Sequence, residues 1–131
     1  MLIRESNLNN LLALYRISVK PVFWLACLTV TGLSLMPVEQ LPDVLLDWWD
    51  KAQHALAFFV LTTLGYLAYC KLRGVLYGGL LALGGVIEIL QAQLGWRYGD
   101  IADLVADTTG IVIAAMAIAL LNSKSKTGNL E

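Results

Sequence analysis

Charge is scarce in this chain: only 15% of its 131 residues are Asp, Glu, Lys or Arg, against 58% that are hydrophobic, and mean hydropathy is +0.68. A soluble domain carries about a quarter charged residues, so the composition excludes an ordinary soluble fold. Cysteine is limited to Cys27 and Cys70, both in or at the end of apolar runs, with no C-x-x-C. That spacing excludes a zinc ribbon and argues against a disulfide framework. There is one histidine, His54, so no multi-histidine metal site can be built. Proline is confined to positions 21, 37 and 42, and no internal repeat or low-complexity tract appears. The net charge of -1 and the lack of a basic groove leave no place for nucleic acid.

What remains is a succession of long apolar runs, which predicts an all-α, polytopic membrane protein: a four-helix transmembrane bundle with an N-terminal amphipathic segment. Residues 1–20 mix Arg4, Glu5 and several asparagines with leucines at helical spacing. This is expected to be an amphipathic cytoplasmic-side segment or an extension of the first span. The membrane domain then covers 21–121, with spans over Pro21–Met36, Asp50–Cys70, Val75–Leu94 and Ile101–Leu121, and residues 122–131 form a polar cytoplasmic tail. An acidic loop, 37–47, joins the first two spans, and Lys71-Leu72-Arg73 makes a tight basic turn between the second and third. Trp48 and Trp49, like Trp96 and Tyr98, fit the headgroup level.

Orientation follows from the cations. Arg4, Arg16, Lys20, Lys71, Arg73, Lys124 and Lys126 fall on one side, and only Lys51 and Arg97 on the other. By the positive-inside rule both termini are cytoplasmic. The acids are segregated the opposite way, so the polar groups of the spans converge on the outer half of the bundle.

Ionisable groups in an apolar span are expensive and default to function with a named partner. Asp50 and His54 share one helical face, as do Glu88 and Gln91, while Asp100, Asp103 and Asp107 lie at i, i+3 and i+7. They are expected to line a funnel narrowing towards Asp107, Glu88 and His54. His54 oriented by Asp50, with Glu88 as a second group, forms a candidate acid/base set. Lys51, Gln91, Arg97, Asp100, Asp103 and Asp107 are candidate binding residues, with the Arg97 fork suited to phosphate or carboxylate.

Asp50-Lys51-x-x-His54, then Glu88-x-x-Gln91, then Arg97 followed by Asp100, Asp103, Asp107 and Gly110, resembles the VanZ-like membrane protein family, over about residues 20–121. Asp107 departs from the asparagine of that pattern. The resemblance implies a polytopic protein of the bacterial envelope, near cell-wall or lipid-linked material, in a family whose prototype is associated with teicoplanin resistance. Four readings of the cluster follow. It binds the head group of a membrane lipid or a lipid-linked cell-wall precursor; it performs acid/base or metal chemistry on such a substrate; it is interhelical glue; or it conducts protons or ions. No cofactor is expected under the first. A divalent cation held by His54, Glu88 and Asp103 belongs to the second, since mixed nitrogen and oxygen donors suit zinc or manganese. Oligomeric state has no signature here.

Overall fold

The computed structural model describes residues 2–37, 40, 50–95 and 99–127, with side chains given for residue 15 and for 19–124 within those ranges. Four helices account for nearly all of them: α1 (Leu2–Leu35), α2 (Asp50–Tyr69), α3 (Arg73–Leu94) and α4 (Ile101–Thr127). No strand occurs among the described residues. Residues 96–98, and with them Arg97, Trp96 and Tyr98, lie outside the described residues, as do Trp48, Trp49, Glu39, Asp43 and Asp47.

The expected spans for the second to fourth helices begin or end where apolar runs meet Asp50, Leu94 and Ile101, and the helices observe those limits. The N-terminal segment and the first span are one helix of 34 residues, with Pro21 inside it. Proline removes one donor to the preceding turn, but its fixed φ is helical, so Pro21 interrupts one hydrogen bond without ending the helix. The division at residue 20 is therefore not a break in secondary structure. At the other end α4 runs past Leu121 to Thr127, because Asn122 to Thr127 contains no glycine or proline to stop it. Helix α3, by contrast, ends at Gly95, whose φ of 72° is the left-handed cap that glycine adopts without a Cβ penalty.

The helix α2 is central and packs against each of the other three, most extensively against α4. Its buried residues His54, Phe58, Leu61, Thr62, Gly65 and Ala68 form one stripe at helical spacing. The close approach of α4 depends on Gly110: a Cβ there would collide with the Ala55 carbonyl and lie 3.0 Å from the Phe59 nitrogen. Phe23, Cys27, Phe58, Leu61, Ala68, Leu76, Leu80, Ile87 and Ile111 make up the apolar core.

Burial runs opposite to that of a soluble protein. Thr62 and Asp107 are fully buried, and Gln91 and Asp103 nearly so, whereas Leu28, Val75, Leu121 and Ile101 are 70%, 73%, 69% and 82% exposed. An apolar exterior of this extent is what apolar surroundings demand. Two helical segments, Arg73–Leu94 with hydropathy 1.7 and Ile101–Lys124 with 2.2, are long and apolar enough to cross a membrane, and Val19–Leu35 is a shorter apolar stretch. Threonine hydroxyls on the helices are satisfied locally. Thr29, Thr31, Thr62, Thr63, Thr108 and Thr109 each donate to the carbonyl four residues earlier. In lipid, such bonds remove the penalty of a bare hydroxyl.

The end of the bundle remote from Asp50 is closed by aromatic and cationic side chains. Trp24 Nε1 donates to the Tyr69 hydroxyl at 2.9 Å, and Asn122 Nδ2 donates to the Tyr66 hydroxyl at 2.9 Å. Lys20 lies over the Tyr69 ring and Arg73 over the Tyr66 ring, 5.3 and 5.1 Å from the centroids. These contacts tie α1, α2 and α4 together, leaving the ionisable cluster at the opposite end.

Candidate functional site

The cluster is assembled from three helices. The first turns of α2 supply Asp50, Lys51 and His54; the last turns of α3 supply Glu88 and Gln91; and the start of α4 supplies Asp100, Asp103 and Asp107. Asp100 sets the register of α4. Its Oδ1 accepts the Ala102 N–H at 2.9 Å and its carbonyl accepts the Asp103 N–H at 2.9 Å, the geometry of an N-cap. From that cap the α4 carboxylates descend into the bundle. Side-chain exposure is 50% at Asp100, 6% at Asp103 and 0% at Asp107.

Lys51 Nζ lies 2.8 Å from Asp100 Oδ2 and 2.9 Å from Asp103 Oδ1, and so bridges two turns of α4 from the end of α2. The Lys51 ammonium and the Ala102 N–H together hold the Asp100 carboxyl below its ordinary range. One turn deeper, His54 Nδ1 lies 2.9 Å from Asp107 Oδ1, and its Nε2 stands 4.0 Å from Asp103 Oδ2. Glu88 Oε2 accepts the Asp100 backbone N–H at 2.7 Å, which fixes the end of α3 to the start of α4.

Asp50 is exposed, and the partner of His54 is Asp107 rather than Asp50. A residue four positions earlier lies a full turn towards the helix end, whereas Asp107 faces the imidazole across the α2–α4 contact. Lys51, a candidate binding residue, is paired with two carboxylates. Gln91 turns away from the cluster and donates through Nε2 to the Ser34 carbonyl in the last turn of α1, at 2.8 Å. Sequence spacing carries no signal for that backbone partner.

A hollow of about 400 Å³ lies on the side of the bundle, lined by Lys51, Ala52, Ala55, Ala102, Val105, Ala106 and Thr109. Its walls are mostly apolar and belong to α2 and α4, with Lys51 and its paired aspartates at one end. The small residues at 52, 55, 102 and 106 create it, a pattern visible in the sequence only once the facing of the two helices is known. Gly84 lies under Asp107: a Cβ there would be 2.7 Å from Asp107 Oδ2.

Among the described residues, Glu88 Oε1, Gln91 Oε1 and Asp107 Oδ2 are buried in this layer with no hydrogen-bond partner. A network serving only to join helices would be expected to satisfy them, because each bare buried acceptor costs about 1–3 kcal/mol. Two overlapping groups have ligand atoms within 4.8 Å of one another, Asp50 with His54 and Asp103, and His54 with Glu88 and Asp107. The arrangement can accept a proton, a cation or a hydrogen-bond donor.

No curated protein and no solved structure matched the chain. A family model did, across residues 8–122, a stretch that contains every group of the cluster. The fold of α2 to α4, the motif residues gathered at one end of it and this match agree, and the chain belongs to the VanZ/LLP1 family.

Proposed function

We propose that this chain is a multi-pass protein of the bacterial inner membrane, a bundle of four spans with cytoplasmic termini, whose outer-end cluster receives the polar head of a membrane lipid or lipid-linked cell-wall precursor. One observation carries the proposal: an apolar furrow of about 400 Å³ between α2 and α4 reaches Lys51, which is paired with Asp100 and Asp103. An acyl or prenyl chain suits the alanine-lined walls, and a polar head attached to it is delivered to the cluster. The association of VanZ-like proteins with teicoplanin resistance supports a cell-wall precursor among the candidate ligands. Binding also explains why Glu88 and Asp107 keep unpartnered oxygens, since hydroxyl or amide donors of a head group supply the missing bonds.

A second reading, chemistry on that head group, is favoured by the His54 and Asp107 pair. A carboxylate on Nδ1 fixes the imidazole orientation and leaves Nε2 turned towards Asp103, the disposition of a general acid/base. The purified chain in nanodiscs, studied by native mass spectrometry, tests the binding proposal. A retained lipid or lipid-linked species, displaced when Ala55 or Ala106 is enlarged to Trp, is the expected result. The same lipid profile in wild type and both variants contradicts it. Loss of an intact head group over time separates the second reading from simple binding.

A further inference from the structure

Asp107 is fully buried and Glu88 is 8% exposed, yet each retains a carboxylate oxygen with no partner. Both carboxylates lie beside the same imidazole, with one donor atom from each of His54, Glu88 and Asp107 within 4.8 Å of the others. The donor atoms converge between the three helices, close enough for a small dication to draw them in, since its N and O donors sit about 2.0–2.2 Å from the ion. From this geometry we propose that His54, Glu88 and Asp107 hold one divalent cation between α2, α3 and α4.

The donor set narrows the ion. One imidazole and two carboxylates suit zinc or manganese and disfavour copper(I), which prefers sulfur donors. Three protein donors leave a coordination position open, as in zinc sites that engage a substrate. The surroundings orient each ligand. With Nδ1 on the ion, the His54 Nε2–H faces Asp103 Oδ2 at 4.0 Å, a carboxylate behind a metal-bound imidazole. The Asp100 N–H, 2.7 Å from Glu88 Oε2, holds one oxygen of Glu88 and leaves Oε1 for the ion. Gly84 leaves room for Asp107 Oδ2 where any Cβ would meet it.

The ion also resolves a problem of charge. Asp50, Glu88, Asp100, Asp103 and Asp107 outnumber Lys51 and His54 among the described residues, so added positive charge at the inner end favours an anionic head. A dication with an open position turns the inner end of the site into a phosphate acceptor. This deepens, and in its purpose rests on, the head-group proposal above. Its test contains no lipid ligand, so the two can fail separately.

The test uses the full chain without a polyhistidine tag, stripped by chelator in nanodiscs and dialysed against Zn²⁺ or Mn²⁺, with metal counted by mass spectrometry. One equivalent per chain is expected. His54→Gln and Glu88→Gln, with helix content and dispersity matching wild type, should weaken binding by more than about tenfold, since even orienting partners of metal ligands are worth 10–100-fold. Asp50→Asn should bind as wild type does. No uptake above background by wild type, or wild-type affinity in Glu88→Gln, overturns the proposal. So does loss in Asp50→Asn with Glu88→Gln unaffected, which moves the ion to the outer group of Asp50, His54 and Asp103. Should the ligand variants not fold, pulsed electron resonance of the Mn²⁺-loaded wild type decides alone: nitrogen coupling from an imidazole supports the site and its absence overturns it.

Discussion

His54 on α2 and Asp107 on α4 meet at 2.9 Å in the interior of the bundle, 53 residues apart in sequence and both shielded from the surroundings. The pair joins the two helices that share the most extensive contact in the fold. A double-mutant cycle with His54→Ala and Asp107→Ala in reversible unfolding should therefore be non-additive. Truncating one partner leaves the other buried and unpaired, at a cost of about 3–5 kcal/mol, with a coupling of about 1–3 kcal/mol recovered in the double variant. Additive losses would show that the two groups do not depend on one another.

Glycine variants in α3 and α4 should separate by sign. Gly110→Ala drives a methyl into the Ala55 carbonyl, a backbone atom that cannot move aside, and should destabilise by about 1–3 kcal/mol or more. At Gly78 a Cβ meets nothing within 4 Å, so Gly78→Ala should be neutral or stabilising by up to about 1 kcal/mol through helix propensity. Thermal unfolding in detergent measures both, and a similar loss in the two variants would contradict the packing described.

Lys51 neutralises a carboxylate that is almost entirely buried, Asp103, as well as the exposed Asp100. Lys51→Gln should lower the melting temperature more than Lys71→Gln, which alters an exposed turn. Increased salt should leave the Lys51 difference partly intact, because a pair with one buried partner is screened less than a surface pair. Equal shifts for the two variants would make Lys51 an ordinary surface charge.

The helix limits were legible because the apolar runs have clear ends: Asp50, Leu94 and Ile101 bound elements both in the sequence and in the fold. The convergence of Asp103, Asp107, Glu88 and His54 could likewise be anticipated from their shared helical faces. Their pairing could not. Spacing along one helix gives a face, but the rotation of the neighbouring helix decides whether His54 meets Asp50 or Asp107, and that rotation is set by Gly110 against Ala55. The lateral furrow was hidden for the same reason. It exists only where Ala52 and Ala55 of one helix stand opposite Ala102 and Ala106 of another. Pro21 shows the reverse limit, a residue that signals a helix start yet is carried inside a longer helix.

Orientation in the membrane is open to labelling. In a Cys70→Ser background, Lys71→Cys should react with a membrane-impermeant maleimide only after the inner membrane is opened, and Glu39→Cys should react from the periplasm. Periplasmic labelling of Lys71→Cys would reject cytoplasmic termini.

A head group that reaches the cluster should depend on His54 to be held there. A photoreactive phenylalanine analogue at Thr109, in the wall of the furrow, should capture a lipid or lipid-linked species in intact cells. His54→Asn retains a donor, an acceptor and nearly the same volume, so it should fold and insert as wild type does. The measurement that decides is the yield and identity of the Thr109 adduct by mass spectrometry in the two backgrounds. The account predicts an adduct with a defined head group in wild type and its loss in His54→Asn at equal protein level; an unchanged adduct in His54→Asn would contradict it.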